Sequence, residues 1–246
     1  MVSGSYLAFQ LRGSLAFFRI YRDSILNDAL AGFTNLEQRA NAVADLAFKR
    51  FGSRPATDDS GDMEQEAEWA NEEGQVYYDA MVGLRQATMN LLSAGLFHLL
   101  EQQLAILCYD CEFCDCVLAN ADIKSITAWY LRYFDINLEK LPQWKTIDEL
   151  HWLANAVKHG EGSSAVKIRV LRPEVFSNPR LEHYGLKWSI PLHSPVRQPL
   201  AGDDLFVTDR LFTEYATATH DFVATIIQHF AQNGKKGYPH ISPPAT

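Results

Sequence analysis

A small group of polar residues stands at the end of one predicted helix. Asn155 and His159 are four positions apart, and Lys158 and Gly160 adjoin the histidine. Residues four apart lie on the same face of a helix, so the amide and the imidazole would be neighbours. Imidazole changes charge near neutral pH and therefore suits general acid or base catalysis. This pattern predicts a catalytic group made of His159, Asn155 and Lys158.

The same residues also fit an ordinary helix C-terminus. The negative end of the helix dipole favours a cation in the last turn, where His159 stands. Gly160 is the usual residue just beyond a helix, and Asn155 and Lys158 on a solvated face need no functional explanation. Both interpretations stay open on the sequence alone.

The helix that carries these residues is predicted over 146–159, and Thr146 followed three residues later by Glu149 predicts a capping box at its start. Its apolar residues recur at helical spacing and should face the core: Ile147, Leu150, Leu153, Ala154 and Val157. His151, Asn155 and His159 follow one another at four-residue steps on the other side. His151 and His159 are two turns, about 12 Å, apart, so they cannot share one metal ion. The polar stripe therefore meets either solvent or a second surface.

Basic residues gather just after this helix. Residues 151–172 contain Lys158, Lys167, Arg169 and Arg172 but only one acid, Glu161. Cationic side chains neutralise phosphate charge, so Lys167, Arg169 and Arg172 are predicted to bind RNA or phosphate. The whole chain has a net charge of −8, which excludes a general nucleic-acid coat and restricts such binding to a local patch.

An Asn-x-x-x-His element at a helix end, in a mostly helical chain, resembles the HEPN superfamily. Its bacterial members are small helical-bundle proteins of toxin–antitoxin and phage-defence systems. The family motif is an arginine, a polar residue that is often Asn, three variable residues and a histidine. In this chain the frame falls on residues 154–159, where Asn155 and His159 match and Ala154 holds the arginine position. The resemblance covers roughly residues 80–172.

The resemblance implies a metal-independent ribonuclease that needs no cofactor. In active HEPN proteins, Arg and His from two protomers meet at a dimer interface and act on the RNA 2′-OH and the scissile phosphate. It therefore implies a homodimer that binds RNA or a nucleotide. Ala154 lacks the guanidinium that would neutralise the transition state, and Lys158 or Arg172 could substitute for it. The alternative is a non-catalytic interaction protein whose helical faces form a homodimer or hold a protein partner.

Four clustered cysteines form a second candidate site. Cys108, Cys111, Cys114 and Cys116 follow the pattern C-x2-C-x2-C-x-C. Thiolates suit zinc or an iron–sulfur cluster, but the last spacing fits no common zinc knuckle. No metal is therefore predicted, and Cys108 and Cys111 are expected to be small core residues. A small metal-binding module at the four cysteines is the alternative. Clustered cysteines also indicate a reducing compartment.

Polar residues also interrupt the apolar second half of a long helix predicted over 63–108. They are Gln86, Asn90, Ser93, His98, Glu101 and Gln102. Buried polar groups need partners, so these residues are expected to form hydrogen bonds between helices. The alternative is that His98 or Glu101 reaches the same pocket as His159.

The 246-residue chain is predicted to be mostly α, a helical bundle with a small β-hairpin or irregular C-terminal element. The predicted helices cover 14–32, 36–51, 63–108, 122–133, 146–159, 164–171 and 209–231. Segments 186–190 and 205–208 are expected to pair as the hairpin.

The predicted domains are a HEPN-like helical domain over 1–172 and a C-terminal extension over 173–246, whose helix packs on the bundle. The most apolar run, 91–100, is too short to span a bilayer. We therefore expect a cytoplasmic protein with no membrane association.

Overall fold

The computed structural model describes residues 2–52, 63–109, 122–178, 195–200, 202–234 and 237–238. These ranges are mostly α-helical, which confirms the expected class. The helices are α1 (Gly4–Ser24), α2 (Leu36–Gly52), α3 (Met63–Tyr109), α4 (Ile123–Phe134), α5 (Trp144–His159), α6 (Ser163–Leu171) and α7 (Asp209–Gln232). Strands β1 (Val2–Ser3) and β2 (Gly237–Tyr238) pair antiparallel. Every predicted helix except the first is placed within two residues.

The first helix begins ten residues earlier than predicted. Ser3 caps α1, since its Oγ accepts a hydrogen bond from the backbone N–H of Tyr6 at 3.3 Å. Leu7 and Leu11 extend the buried face of the helix towards its N-terminus. After Ser24 the chain does not continue as an α-helix to residue 32. It widens into a π-turn over Ile25–Ala29 and then tightens into a 3-10 turn over Ala31–Phe33.

One large core lies around the second half of α3. It takes residues from α1, α3, α4, α5, α6 and α7, so the segment after residue 173 contributes to the same core as the bundle. The 47 residues of α3 span about 70 Å. By length and composition α3 could cross a bilayer, but half of its most apolar window is buried inside the protein.

The first half of α3 packs against α2 to form a helical hairpin with a small core of its own. Ala47 and Phe51 of α2 meet Ala70 of α3 there. Gly74 allows the two helices to approach closely, because a Cβ at this position would lie 2.9 Å from the carbonyl oxygen of Ala40. We call this hairpin, α2 with residues 63–79 of α3, the arm.

Gln86 and Asn90 of α3 bond to a loop and not to another helix, whereas Glu101 bonds to the start of α4, as predicted. The side-chain amide of Asn90 donates to the carbonyl oxygens of Pro199 and Leu205, both at 2.8 Å. Gly202 has a φ of 78°, and a Cβ on it would collide with the carbonyl oxygen of Gly83. Asn90 is fully buried, so satisfying its amide fixes the position of the loop, residues 195–200 and 202–208.

The predicted hairpin is tested only in its second half. Segment 186–190 lies outside the described residues. Residues 205–208 belong to no helix or strand, and the N–H of Phe206 donates to the carbonyl oxygen of Val175 at 2.8 Å. This segment therefore packs beside the 3-10 turn Pro173–Phe176.

The start of α5 differs from the predicted capping box. The helix begins at Trp144, and the residue before it makes no side-chain cap. Glu149, the proposed second member of the box with Thr146, is 4% exposed. Its Oε2 lies 2.6 Å from Nε of Arg172. A carboxylate at this depth requires an opposite charge, so it pairs with arginine instead of capping the helix.

Candidate functional site

The two faces of α5 are arranged as the sequence predicts. The expected core residues Ile147, Leu150, Leu153, Ala154 and Val157 are all buried. His159 and Lys158 are exposed at the C-terminus of the helix. Ala154, at the position of the HEPN arginine, is 1% exposed, so a longer side chain there would displace the packing around it.

His159 lies in an open cleft of about 460 Å³ between the end of α5 and the loop. The lining residues are Val157, Lys158, His159, Gly160, Val196, Arg197, Gln198, Pro199 and Leu200. The fold therefore brings Arg197 to the same cleft as Lys158 and His159. Arg197 is not predicted from the sequence, because its segment has no assigned neighbour in the bundle.

A close backbone contact forms this cleft. Gly160 ends α5 with a φ of 71°, and a Cβ on it would lie 2.9 Å from the carbonyl oxygen of Val196. The N–H of Glu161 donates to that same oxygen at 2.8 Å. In return, the N–H of Val196 donates to Oε2 of Glu161 at 2.8 Å. These reciprocal bonds join the loop to the end of α5, and only glycine fits at position 160 without strain.

Lys158 and Arg197 bring two cationic side chains to the cleft, and the Asp204 carboxylate lies beside it. Within the described part of the chain, Lys158, His159 and Arg197 form no ion pair. The nearby carboxylates have other partners. Glu161 accepts hydrogen bonds from Arg169, which lower the pKa of that carboxyl group. Asp204 accepts from the backbone N–H groups of Arg197 and Gln198.

The three residues predicted to bind phosphate lie elsewhere. Arg169 pairs with Glu161 at 3.1 Å and is nearly buried. Arg172 bonds to the carboxylates of Glu149 and Glu214. The Nζ of Lys167 lies 3.5 Å from the ring centre of Trp152. None of the three is a lining residue of the His159 cleft. Phosphate binding by them stays a prediction, and their contacts are with acids and an aromatic ring of the fold.

Asn155 lies one turn before His159 on the same side of α5. It is half-buried and is not among the residues that line the cleft. Asn155 would therefore act with His159 from the edge of the cleft.

The other histidine of the stripe meets α3. The ring of His151 stacks on Phe97, and their ring centroids are 5.0 Å apart. The ring centroid of Trp152, the next residue on α5, lies 4.5 Å from that of His151. Burial lowers the pKa of His151, so its imidazole is neutral at neutral pH. His151 and His159, the two ends of the polar stripe, thus lie in different environments.

His98 and Glu101 group with His151. Nδ1 of His98 lies 2.9 Å from Oε2 of Glu101, whose Oε1 accepts the N–H of Ile123 at the start of α4. The negative charge of Glu101 acts to raise the pKa of His151, against the larger effect of burial. Neither His98 nor Glu101 lines the cleft of His159, so the alternative of one shared pocket is not found.

Of the four cysteines, the structure describes only Cys108. It is buried, and its Sγ lies 3.8 Å from the carbonyl oxygen of Leu104, as expected of a core residue. Cys111, Cys114 and Cys116 lie outside the described residues, so the cysteine motif itself is not tested. In the ranges that are described, no three His, Cys, Asp or Glu side chains are placed to hold a metal ion.

Comparisons of this chain with protein-family models, with curated proteins and with solved structures find no match. The HEPN resemblance therefore depends on the motif frame and the helical architecture.

Proposed function

We propose that this chain is a HEPN-like protein that binds RNA in the His159 cleft and cleaves it without a metal ion. One observation carries the proposal. Lys158, His159 and Arg197 line a single cleft, and among the described residues none of them is ion-paired. In a chain with a net charge of −8, Lys158 and Arg197 come together here, where a phosphate would need cationic side chains.

The proposed reaction is an internal transfer at phosphorus. His159 takes the proton of a ribose 2′-OH, and the 2′ oxygen attacks the adjacent phosphorus. The P–O2′ bond forms and the P–O5′ bond breaks, and water protonates the departing 5′ oxygen. The products are a 2′,3′-cyclic phosphate and a 5′-hydroxyl end. Histidine suits this step because its neutral form accepts a proton near pH 7.

We propose that Arg197 performs the role of the motif's arginine, whose position is held by Ala154 in this chain. The phosphorane gains negative charge as the 2′ oxygen attacks, and a guanidinium held in the same cleft would stabilise it. Arginine can make two parallel hydrogen bonds to phosphate oxygens, whereas Lys158 contributes a point charge. Asn155 would hold a ribose or base group at the edge of the cleft.

The proposed setting is a bacterial defence or stress system, with the chain acting as a cytoplasmic homodimer. The second candidate is a non-catalytic protein that binds RNA or a nucleotide in the same cleft. Ala154 at the arginine position of the motif, buried and without a charge, favours this second candidate.

Binding of a fluorescent single-stranded RNA tests the site independently of catalysis. Lys158→Ala with Arg197→Ala should weaken binding by at least about tenfold and reduce the salt dependence of the affinity, because two phosphate contacts are lost. Lys145→Ala is the matched control, since it removes an exposed cation from the first turn of α5, about 21 Å from His159. Equal affinities for the double variant and the control would remove the cleft from RNA binding.

A further inference from the structure

The outer face of α1 exposes a row of large apolar side chains. Phe9, Phe17 and Ile20 are 58–66% exposed, and Tyr6 continues the row at the N-terminal end. On a helical wheel these four positions fall within about 80° of one another. They extend over about 21 Å of the helix.

α1 lies beside the second half of α3, and the two helices run in opposite directions. Ser14 of α1 donates a hydrogen bond to the side-chain oxygen of Gln103 at 2.7 Å. Nearer the other end of α1, the hydroxyl of Tyr21 donates to the carbonyl oxygen of Leu92 at 2.9 Å. The outer edge of α3 therefore adjoins the exposed row of α1.

Two large apolar side chains of α3 are exposed next to these contacts. Leu91 precedes Leu92 in the chain and is 56% exposed, and Ile106 follows Gln103 by one helical turn and is 39% exposed. They widen the apolar surface from one helix to two, whose axes are about 8–10 Å apart. We call six residues of this surface the apolar patch: Tyr6, Phe9, Phe17, Ile20, Leu91 and Ile106.

The charged edge of the apolar patch is basic. Arg12 and Arg19 are exposed, lie seven positions apart along one side of the α1 row, and form no ion pair with any residue that the structure describes. Residues 1–22 and 80–100 contain no Asp or Glu, although the whole chain has a net charge of −8. This surface is thus apolar and cationic on a protein that is acidic as a whole.

The combination of apolar and cationic side chains selects among the possible occupants of the patch. Contiguous exposed apolar surfaces mark interaction sites. RNA would satisfy the arginines but not Ile20 and Leu91, because aliphatic side chains do not stack on bases. A second copy of the patch would bring arginines against arginines. An anionic bilayer offers hydrocarbon to the apolar residues and phosphate groups to the arginines.

We propose that the apolar patch, with Arg12 and Arg19, binds the surface of an anionic lipid bilayer. α1 lies parallel to the membrane, and Phe9, Phe17 and Ile20 enter the boundary between headgroups and acyl chains. The two arginines lay their alkyl stems along this boundary and extend their guanidinium groups to the lipid phosphates.

Binding of this kind needs no helix that spans the bilayer. The expectation of no membrane association followed from the apolar run 91–100, which is too short to span, whereas an interfacial helix inserts only about 5–10 Å. Membrane association by the patch therefore differs from that expectation and is compatible with its reason.

The His159 cleft lies on another side of the protein. Asn90 bonds to the loop of the cleft, and it is about 140° around α3 from Gln103, which bonds to α1. A molecule bound to a membrane through α1 would therefore keep the cleft open to RNA. The lipid-binding surface does not depend on the proposed ribonuclease activity.

Sedimentation with lipid vesicles tests the proposal on the full chain. The probes are vesicles of equimolar phosphatidylglycerol and phosphatidylcholine, and neutral vesicles of phosphatidylcholine alone. The wild type should sediment with the anionic vesicles and bind the neutral ones at least about tenfold more weakly, because a basic side chain near an anionic surface contributes about fivefold to binding.

Two variants separate the apolar and the cationic contributions. Phe17→Ser with Ile20→Ser should weaken binding to anionic vesicles at least about tenfold, because less apolar area enters the bilayer. Arg12→Glu with Arg19→Glu should weaken it at least about thirtyfold, because two attractions become repulsions. Raising the salt concentration should weaken binding of the wild type and leave little effect on the arginine variant.

Matched controls change the same types of residue elsewhere. Leu46→Ser with Val76→Ser removes two side chains of the arm that are 62–66% exposed, and Lys140→Glu with Lys145→Glu reverses two exposed cations. Both controls should bind vesicles as the wild type does. Circular dichroism should show native helix content in all four variants.

Three results would overturn the proposal. The first is a wild type that does not sediment with anionic vesicles. The second is equal vesicle binding by the patch variants and their controls. The third is a loss of RNA affinity or of oligomeric mass in the patch variants with vesicle binding unchanged, which would assign the patch to RNA or to another protein chain. RNA cleavage is measured separately, so it can fail while vesicle binding stands.

Discussion

Gly160 and Val196 lie against each other so closely that no side chain fits between them. The position of a Cβ on Gly160 is 2.9 Å from the carbonyl oxygen of Val196, and the φ of Gly160 is 71°. This contact places the loop that carries Arg197 directly beside His159. The geometry of the candidate site thus depends on a glycine that the sequence shows only as the end of a helix.

Substituting Gly160 should therefore disturb both stability and the site. Gly160→Ala adds a methyl group against Val196 at a positive φ, so it should lower the free energy of unfolding by about 1–3 kcal/mol. Urea denaturation measures this change. Gly162→Ala is the matched control, because its backbone is extended and a Cβ there meets no atom within 4 Å. A loss no larger than that of Gly162→Ala would show that the contact does not hold the loop.

Arg172 should act on stability more than on RNA affinity. Its guanidinium bonds to Glu149 and Glu214, and Glu149 is almost fully buried. Arg172→Ala would leave the Glu149 carboxylate without its partner, which should lower the free energy of unfolding by about 3 kcal/mol. Arg172→Ala with Glu149→Leu should recover much of the loss. An unchanged stability with a large loss of RNA affinity would instead support the phosphate-binding role predicted from the sequence.

His151 should make the protein less stable in mild acid. Burial depresses the pKa of His151 in the folded state below its ordinary value of 6.5. The unfolded chain therefore takes up a proton before the folded chain does. The contribution of this residue to stability is complete above about pH 6.5 and falls as the pH drops towards the lowered pKa.

His151→Phe keeps a ring on Phe97 and removes the titration. Its unfolding free energy should change less between pH 7 and pH 5 than that of the wild type, as urea denaturation at the two pH values would show. A His151→Phe profile that parallels the wild type would contradict the buried neutral imidazole.

The helices were predictable because their signals are local. Apolar residues at helical spacing in α5 identified its buried face without any knowledge of its neighbours, and Asp209–Gln232 was placed almost to the residue. The start of α1 was missed although Leu7 and Leu11 show the same spacing. A capping box was predicted from Thr146 and Glu149, whereas Glu149 is recruited by a distant arginine.

The α5 residues of the site were predictable from the sequence. The loop residues were not, because they reach the end of α5 through a long-range contact. Nothing near Arg197 in the sequence indicates that it reaches the end of α5. Its position depends on the buried amide of Asn90 and on the close approach of Gly202 to α3. Gln86 and Asn90 of α3 are recognisable as polar residues of an apolar helix, but their partners include backbone carbonyls of a loop, which carry no sequence signal. Lys158 and His159 were found because they share one helix end.

His159 is proposed to perform metal-independent cleavage of RNA in this cleft. The most direct measurement is the rate of RNA cleavage in EDTA by the wild type and by His159→Ala. Loss of the general base should slow cleavage at least about a hundredfold, with RNA affinity little changed and 2′,3′-cyclic phosphate ends on the wild-type products. Equal rates for the two proteins, or no cleavage by the wild type, would contradict the claim.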